Sequence, residues 1–234
     1  MPDLFHRSGK DQTARRLAEI DSVVVLGLGR FGRSLASELM ACGTEVLGID
    51  ADEKVVQEMS SRLTHCVRAD STDEDALRQL AVQEFDRAVV AIGSHIEASL
   101  LTASLLKNMG VSNIWAKAIS EPHGRILEQL GIEHVVYPEH DMGRRVAHLV
   151  KGRMLDFIQF EPDYAMVKTA PPAALLGTPL SQTGVRRKHG ITVVGVKRPD
   201  AAWTHATGET VLSPGDLVIV SGQPNAVETF SDLR

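Results

Sequence analysis

A glycine-rich turn between a strand and a helix constrains the fold of this chain more than any other feature of its sequence. Residues 22–28, SVVVLGL, have the pattern of a buried strand, and Gly27, Gly29 and Gly32 lead into the helical stretch GRSLASELMACG. In such a turn the first glycine permits a sharp change of direction, and the third lets the helix pack closely on the strand. A second strand, EVLGID, follows at 45–50. Residues 22–50 therefore predict a βαβ unit with two parallel strands.

The alternation of strands and helices continues to about residue 137. Several of the predicted strands are apolar on both faces, which is typical of a parallel sheet covered by helices on both sides. Glycines stand where the intervening helices would end, at Gly43, Gly110 and Gly131. These features predict an α/β fold with a Rossmann-like, doubly wound parallel sheet over residues 21–140. The further strands are predicted at 64–70, 87–93, 113–118 and 133–138.

The rest of the chain has a different pattern. Residues 141–155 predict a connecting helix, after which strand-like runs follow one another without long helices between them. The stretch 156–234 is long enough for a small α+β domain. At the other end, residues 1–20 form a polar leader that lacks the apolar segment of a secretory signal.

Composition excludes several classes of partner. A formal net charge of −5 gives no electrostatic basis for binding nucleic acid or an anionic membrane. No apolar run approaches the roughly 20 residues that are needed to cross a bilayer. Cys42 and Cys66 form no CxxC motif, which suits a reducing cytoplasm. The sequence thus predicts a cytoplasmic protein that does not bind nucleic acid.

The glycine turn also predicts a site for a nucleotide phosphate. Gly29 would let phosphate oxygens approach the backbone, where the helix N-terminus supplies free N–H groups. Asp50 ends the second strand and is placed to accept hydrogen bonds from a ribose, which disfavours a 2′-phosphate. Asp52 could contribute similarly or could be a helix N-cap. Arg30 could contact the additional phosphates of ADP or ATP, or could point into solvent.

No catalytic group accompanies this predicted site. Tyr164 and Lys168 have the Tyr-x-x-x-Lys spacing of short-chain dehydrogenases, but they fall in a predicted strand, where residues four apart are separated by roughly 12 Å or more. The nine histidines form no metal-binding spacing, and His134, His140 and Asp141 are predicted to be solvated loop residues. The chain is therefore predicted not to be an enzyme, with an NAD-dependent oxidoreductase as an alternative.

Four segments resemble a known family. VVVLGLGRFGRSLASEL, VLGIDADEKVV, AVVAIGSHIEASLLTASLLKNMGVSNIWAKA and HGRILEQLGIEHVVYPEHDMGRRVA are similar to the RCK (or KTN) regulatory subunits of Ktr and Trk potassium transporters, and most similar to those of Ktr systems. The resemblance covers residues 21–234, although the C-terminal part is similar in pattern rather than in residues. It implies a TrkA-N nucleotide-binding domain followed by a TrkA-C (RCK_C) domain. It also implies homodimers that assemble into an octameric ring on the cytoplasmic side of a membrane potassium-translocating subunit.

The resemblance further implies that ATP and ADP compete for one site and hold the ring in different shapes. Gly27, Gly29 and Gly32 would carry the phosphates, Arg30 would reach the terminal phosphate across the dimer interface, and Asp50 would hold the ribose. Glu139 matches a carboxylate that helps to bind Mg²⁺ or Ca²⁺ beside the γ-phosphate, or else it is a solvated residue at a strand end. The remaining predicted nucleotide contacts are Phe31, Asp52, Asp70, Ser71, Gly93, His95 and Lys117.

Two other ligands, cyclic di-AMP and NAD(H), are alternatives. The small domain of some relatives binds cyclic di-AMP at a dimer interface, and Val185, Arg186 and Ile191 are the matching residues here. Residues 182–184 depart from the relatives, however, and the basic run 186–188 could be a solvated helix end. NAD(H) is the second alternative, since related Trk subunits bind NADH. Arg30 and Glu139 together favour ATP and ADP over it.

Overall fold

The computed structural model of the chain describes residues 22–233, so the predicted leader at 1–20 lies outside the described residues. The chain divides after Pro138 into two compact units.

The N-terminal unit is built on a parallel sheet of six strands in the order β3-β2-β1-β4-β5-β6. This is the strand order of a Rossmann-like doubly wound sheet, and it confirms the predicted fold class. The order reverses between β1 and β4, where such folds form a crevice for ligands at the C-terminal ends of the strands. Its elements are β1 (Ser22–Leu26), α1 (Arg30–Ala41), β2 (Glu45–Asp50), α2 (Glu53–Met59), β3 (His65–Arg68), α3 (Glu74–Gln79), β4 (Arg87–Val90), α4 (Ile96–Asn108), β5 (Ile114–Lys117), α5 (Glu121–Gln129) and β6 (His134–Val136).

Alternate residues of the central strand β1 face two different helical layers. Val24 and Leu26 belong to one buried cluster, which includes Leu106 of α4. Val23 and Val25 belong to the opposite cluster. Because both faces are covered, β1 is apolar at every position after Ser22, which accounts for the continuous apolar runs in the sequence.

The strands end earlier than their apolar sequence predicts. The first strand was predicted to extend to residue 28 and the fourth to residue 93, but β1 stops at Leu26 and β4 at Val90. After Leu26 the chain turns, and the Gly27 N–H donates to the carbonyl of Ile49 at 2.8 Å. Leu28 is fully buried although it lies outside the strand. Its apolar side chain therefore extends the apolar run of the sequence beyond the last residue of β1.

Three helices of this unit end where their glycines predict. Gly43, Gly110 and Gly131 follow α1, α4 and α5 at one residue beyond the C-cap, and their φ angles are +86°, +84° and +81°. A residue with a β-carbon adopts this left-handed conformation only at an energetic cost, which explains the glycines.

The C-terminal unit contains a five-stranded antiparallel sheet in the order β10-β9-β11-β8-β7. Its core contains Phe157, Val167, Val220 and Phe230. The helix that leads into it, α6, spans Pro138–Lys151, three residues ahead of the predicted start. The elements after α6 are β7 (Asp156–Glu161), β8 (Tyr164–Thr169), α7 (Leu180–Thr183), α8 (Val185–His189), β9 (Ile191–Lys197), β10 (Trp203–His205), β11 (Leu217–Gly222) and α9 (Pro224–Ser231).

Three histidine and aspartate positions differ from the prediction of solvated loops. His140 and Asp141 lie in the first turn of α6, where carboxylates are favoured by the helix dipole. His134 lies in β6, is half-buried, and stacks on Trp115 of the neighbouring strand with ring centroids 4.2 Å apart. Its cross-strand partner, rather than solvent, accounts for its position.

Candidate functional site

Two of the three glycines in the turn after β1 are required by packing. Gly27 has φ +94°, and a β-carbon there would lie 3.1 Å from the backbone nitrogen of Ile92. A β-carbon on Gly32 would overlap the carbonyl oxygen of Gly27. Both glycines therefore allow the turn, the first turn of α1 and the end of β4 to lie in contact.

Gly29 is different, because packing does not require a glycine there. Its φ is −66°, which any residue can adopt, and a β-carbon would have no described atom within 4 Å. It precedes α1, so the space beside it is next to the N-terminal N–H groups of that helix. Arg30 is the first residue of α1 and is exposed. The turn thus keeps open space beside a group of backbone donors.

Asp50 holds two loops in place at the end of β2. Its Oδ2 accepts a hydrogen bond from the Leu28 N–H at 2.6 Å, and its Oδ1 accepts one from the Asp52 N–H at 2.9 Å. Each carboxylate oxygen has a further lone pair, so Asp50 can still accept hydrogen bonds from a ribose. Asp52 is the N-cap of α2, and its Oδ1 accepts from the Lys54 N–H at 2.9 Å. Of the two roles predicted for Asp52, ribose contact and helix N-cap, the structure shows the N-cap.

Asp70 and Ser71 follow β3 at the same edge of the sheet. The Asp70 carboxylate accepts hydrogen bonds from the Thr72 N–H at 2.9 Å and the Thr72 hydroxyl at 2.7 Å, which lower the pKa of Asp70. The hydroxyl of Thr102, on α4, donates to Ser71. This loop is therefore fixed against α4, with Asp70 exposed.

Phe31, Gly93 and Lys117 come together in the structure. Lys117, at the end of β5, is only 7% exposed, and its Nζ lies 5.6 Å from the centroid of the Phe31 ring. A β-carbon on Gly93 would lie 3.1 Å from that Nζ, so the glycine leaves room for the lysine. His95 is the N-cap residue of α4 and is exposed. The ends of β1, β4 and β5 thus place a buried cation beside the glycine turn.

The remaining predicted site residues lie in the C-terminal unit. Glu139 is exposed, as its solvated alternative predicts, but it lies in the first turn of α6 rather than at a strand end. Val185, Arg186 and Ile191 line one open pocket of about 530 Å³. The Arg186 guanidinium reaches Thr192 there, with Nε 3.2 Å from Oγ1. The structure brings these three residues together, as their predicted role requires.

Tyr164 and Lys168 both lie on β8, in the C-terminal unit. The strand geometry rules out the shared helical face that a dehydrogenase pair needs.

Within residues 22–233, no three His, Cys, Asp or Glu side chains are grouped as they would be in a metal site. No helix in that range has the length and the apolar character of a membrane span.

Sequence reasoning missed one residue of α1 that contacts the glycine turn. The Nε of Arg33 donates to the carbonyl of Leu28 at 2.8 Å, and its Nη1 donates to Glu58 Oε2 at 2.6 Å. The only signal in the sequence is a second arginine after the third glycine, and that position does not reveal the carbonyl or carboxylate it contacts.

Comparison with known proteins agrees with the architecture. Residues 23–138 match the family model of the TrkA-N domain, and residues 164–234 match that of the TrkA-C domain. Ktr system potassium uptake protein C of Bacillus subtilis is 37% identical over 207 residues, which cover 88% of this chain and 94% of that protein. This chain belongs to the family of Ktr system potassium uptake proteins.

Another member, from a different organism, is similar over nearly the same length. Ktr system potassium uptake protein A of Vibrio alginolyticus is 34% identical over 199 residues, which cover 85% of this chain and 90% of that protein. Among solved structures, the GsuK RCK domain aligns with a TM-score of 0.64 at 17% identity, over 94% of this chain and 52% of that chain. At that identity the likeness concerns the fold, and this Ktr family chain spans about half of the solved one.

Proposed function

We propose that this Ktr family chain is a nucleotide-sensing regulatory subunit of a potassium transporter and that its ligands are ATP and ADP. The observation that carries the proposal is the open space at Gly29. Packing requires Gly27 and Gly32 but not Gly29, whereas a phosphate that approaches the helix N-terminus requires a residue without a β-carbon there. Asp50, at the end of β2, would hold the ribose. The predicted contacts Asp70, Ser71, Gly93, His95 and Lys117 border the same edge of the sheet.

A second part of the proposal concerns the terminal phosphate. Arg30 is exposed beside Gly29. Its guanidinium has five N–H donors, which suit the several oxygens of a phosphate. Glu139 would help to hold Mg²⁺ or Ca²⁺ together with phosphate oxygens and groups from a second subunit, because both ions prefer oxygen ligands. The cation would offset the charge of the γ-phosphate. A ligand shifts an equilibrium between two shapes only by its difference in affinity for them, so these contacts would distinguish ATP from ADP.

Arg30→Ala is expected to weaken ATP more than ADP. Loss of one charge-assisted contact to the terminal phosphate should cost about 1.5–3 kcal/mol, or about tenfold to a hundredfold in the dissociation constant for ATP. Isothermal titration of both nucleotides checks this, with Arg62→Ala as a control, because Arg62 is exposed, lies after the end of α2 and has no proposed nucleotide contact. Equal losses for ATP and ADP would remove Arg30 from the switching role.

The assembly is part of the same proposal. Homodimers would form an octameric ring on the cytoplasmic side of a membrane potassium-translocating subunit, so that the chain is a cytoplasmic protein held at the membrane by its partner. Multi-angle light scattering of the purified chain is expected to give the mass of eight chains in the presence of ATP or ADP. A monomeric mass with both nucleotides would contradict the ring.

The pocket in the C-terminal unit supports a second ligand, cyclic di-AMP. Val185 and Ile191 supply buried apolar surface there, and Arg186 supplies a cation for a phosphate. Arg186→Ala is therefore expected to weaken cyclic di-AMP about tenfold or more and to leave ADP binding unchanged. Titration of both ligands into both forms tests this. If the variant and the wild-type chain bind cyclic di-AMP equally, Arg186 is not the phosphate contact.

NAD(H) is the alternative ligand, and the chain is proposed not to be an enzyme. A nicotinamide would fit the same Rossmann-like fold, but the Tyr164 and Lys168 pair lies on a strand of the other unit. Hydride transfer by the purified chain from NADH to a carbonyl compound would contradict this part of the proposal.

A further inference from the structure

The residue before Gly29 is held through both of its backbone polar groups. The Leu28 N–H donates to Asp50 Oδ2 at 2.6 Å, and the Leu28 carbonyl accepts from Arg33 Nε at 2.8 Å. The Leu28 side chain is fully buried, and a β-carbon on Gly48 would approach it to 3.0 Å. Leu28 is therefore fixed from the strand side, the helix side and the core.

The bond from Arg33 fixes more than Leu28. The carbonyl of Leu28 and the N–H of Gly29 belong to one planar peptide unit, in which they point in opposite directions. An arginine that holds the carbonyl thereby sets the direction of the Gly29 N–H. That N–H belongs to the residue whose β-carbon would meet only open space.

Arg33 is itself held by the neighbouring helix. Its Nη1 donates to Oε2 of Glu58, on α2, at 2.6 Å. One guanidinium therefore connects the turn to two helices, since Arg33 is part of α1. A lysine could reproduce only part of this arrangement, because its single ammonium can donate to the carbonyl but lacks the planar fork that also reaches the carboxylate.

We propose that Arg33, supported by Glu58, is a positioning residue that directs the Gly29 N–H toward a nucleotide phosphate. The proposal rests on the proposed nucleotide binding and assigns to Arg33 a role distinct from that of Arg30. Arg33 acts on the turn that all phosphates would share, so it affects ADP and ATP alike.

The Arg33–Glu58 ion pair is exposed, so its loss should change the stability of the fold little, and a loss of nucleotide binding would then reflect the position of the turn. The side chains of Arg33 and Glu58 are 37% and 60% exposed, and exposed ion pairs contribute little to stability. Arg78 and Glu74 form a comparable pair on α3, at 2.7 Å and with 52% and 47% exposure. That pair lies within one helix and serves as the matched control.

The first test compares nucleotides with and without phosphates. Arg33→Ala in the full chain is expected to weaken ADP and ATP by a similar factor, about tenfold, because preorganisation of a donor is lost. Adenosine binding should change by less than about twofold, since adenosine has no phosphate to lose a contact. Arg33→Lys should recover part of the loss, and Arg78→Ala should bind all three ligands like the wild-type chain. A loss for adenosine as large as that for ADP, or no loss for ADP, would overturn the proposal.

The second test needs no ligand. Hydrogen exchange of the nucleotide-free chain is expected to be faster at the amides of residues 28–31 in Arg33→Ala than in the wild-type chain, and unchanged in β1. Arg78→Ala should show no change at either place. If the exchange changes but no nucleotide binds to the wild-type chain, the positioning of the turn stands and the proposed function fails. If the exchange does not change, Arg33 does not position the turn, whatever binds there.

Discussion

Gly32→Ala is expected to lower the free energy of unfolding of the N-terminal unit by about 3 kcal/mol or more, because it forces an atom into a packed backbone contact. A β-carbon at this position would overlap the carbonyl oxygen of Gly27. That backbone cannot withdraw freely, since the Gly27 N–H donates to the Ile49 carbonyl at 2.8 Å. Alanine is otherwise a better helix former than glycine, so the expected loss comes from the overlap alone.

Scanning calorimetry of the full chain measures this effect, and Gly29→Ala is the matched control in the same turn. A β-carbon on Gly29 would have no described atom within 4 Å, so that variant should melt like the wild-type chain. If Gly32→Ala melts at the wild-type temperature, α1 does not pack on the turn as described.

Gly29→Ala is expected to lose nucleotide binding while keeping its stability. The added methyl group would fill the space through which phosphate oxygens reach the helix N-terminus. Loss of two charge-assisted hydrogen bonds from backbone N–H groups to phosphate oxygens would weaken the binding of ADP and ATP by about a hundredfold or more. The measurement is titration with both nucleotides, after calorimetry has shown that the variant is folded.

The control for Gly29→Ala is Gly143→Ala, on α6, where a β-carbon also meets open space and no nucleotide contact is proposed. It should bind ADP as the wild-type chain does. Retention of binding by Gly29→Ala would mean that the open space at Gly29 has no role in holding phosphate.

Much of the fold could be predicted because the helices and strands of the N-terminal unit have different hydrophobic patterns, with helical spacing in the helices and continuous apolar runs in the strands. The continuous apolar runs of the strands follow from burial on two faces, as the opposite clusters of Val24 and Val25 show. Strand β10 (Trp203–His205) was not predicted. All three of its residues are exposed at the edge of the sheet, so it has no alternation of apolar and polar residues.

The candidate site was predictable in its position but not in its internal contacts. The spacing of the glycines and the acid at the end of β2 located the turn and Asp50. The hydrogen bond from the Asp52 N–H to Asp50 is local, because the two residues are two apart and form an Asx-type turn. The bond from the Leu28 N–H joins residues 22 apart and depends on how two loops approach each other, which no local pattern describes. Arg33 and Glu58 are 25 residues apart and meet because α1 and α2 pack against the same buried cluster on one face of the sheet.

The glycine turn is proposed to bind adenine nucleotides and to distinguish ATP from ADP. The most direct measurement is isothermal titration of the nucleotide-free chain with ATP, ADP, NAD⁺ and NADH, each with and without Mg²⁺. The proposal predicts tight binding of ATP and ADP, with Mg²⁺ strengthening ATP and having little effect on ADP. A clear preference for NADH that is indifferent to Mg²⁺ would contradict the ATP and ADP switch and would favour a sensor of the NAD(H) pool.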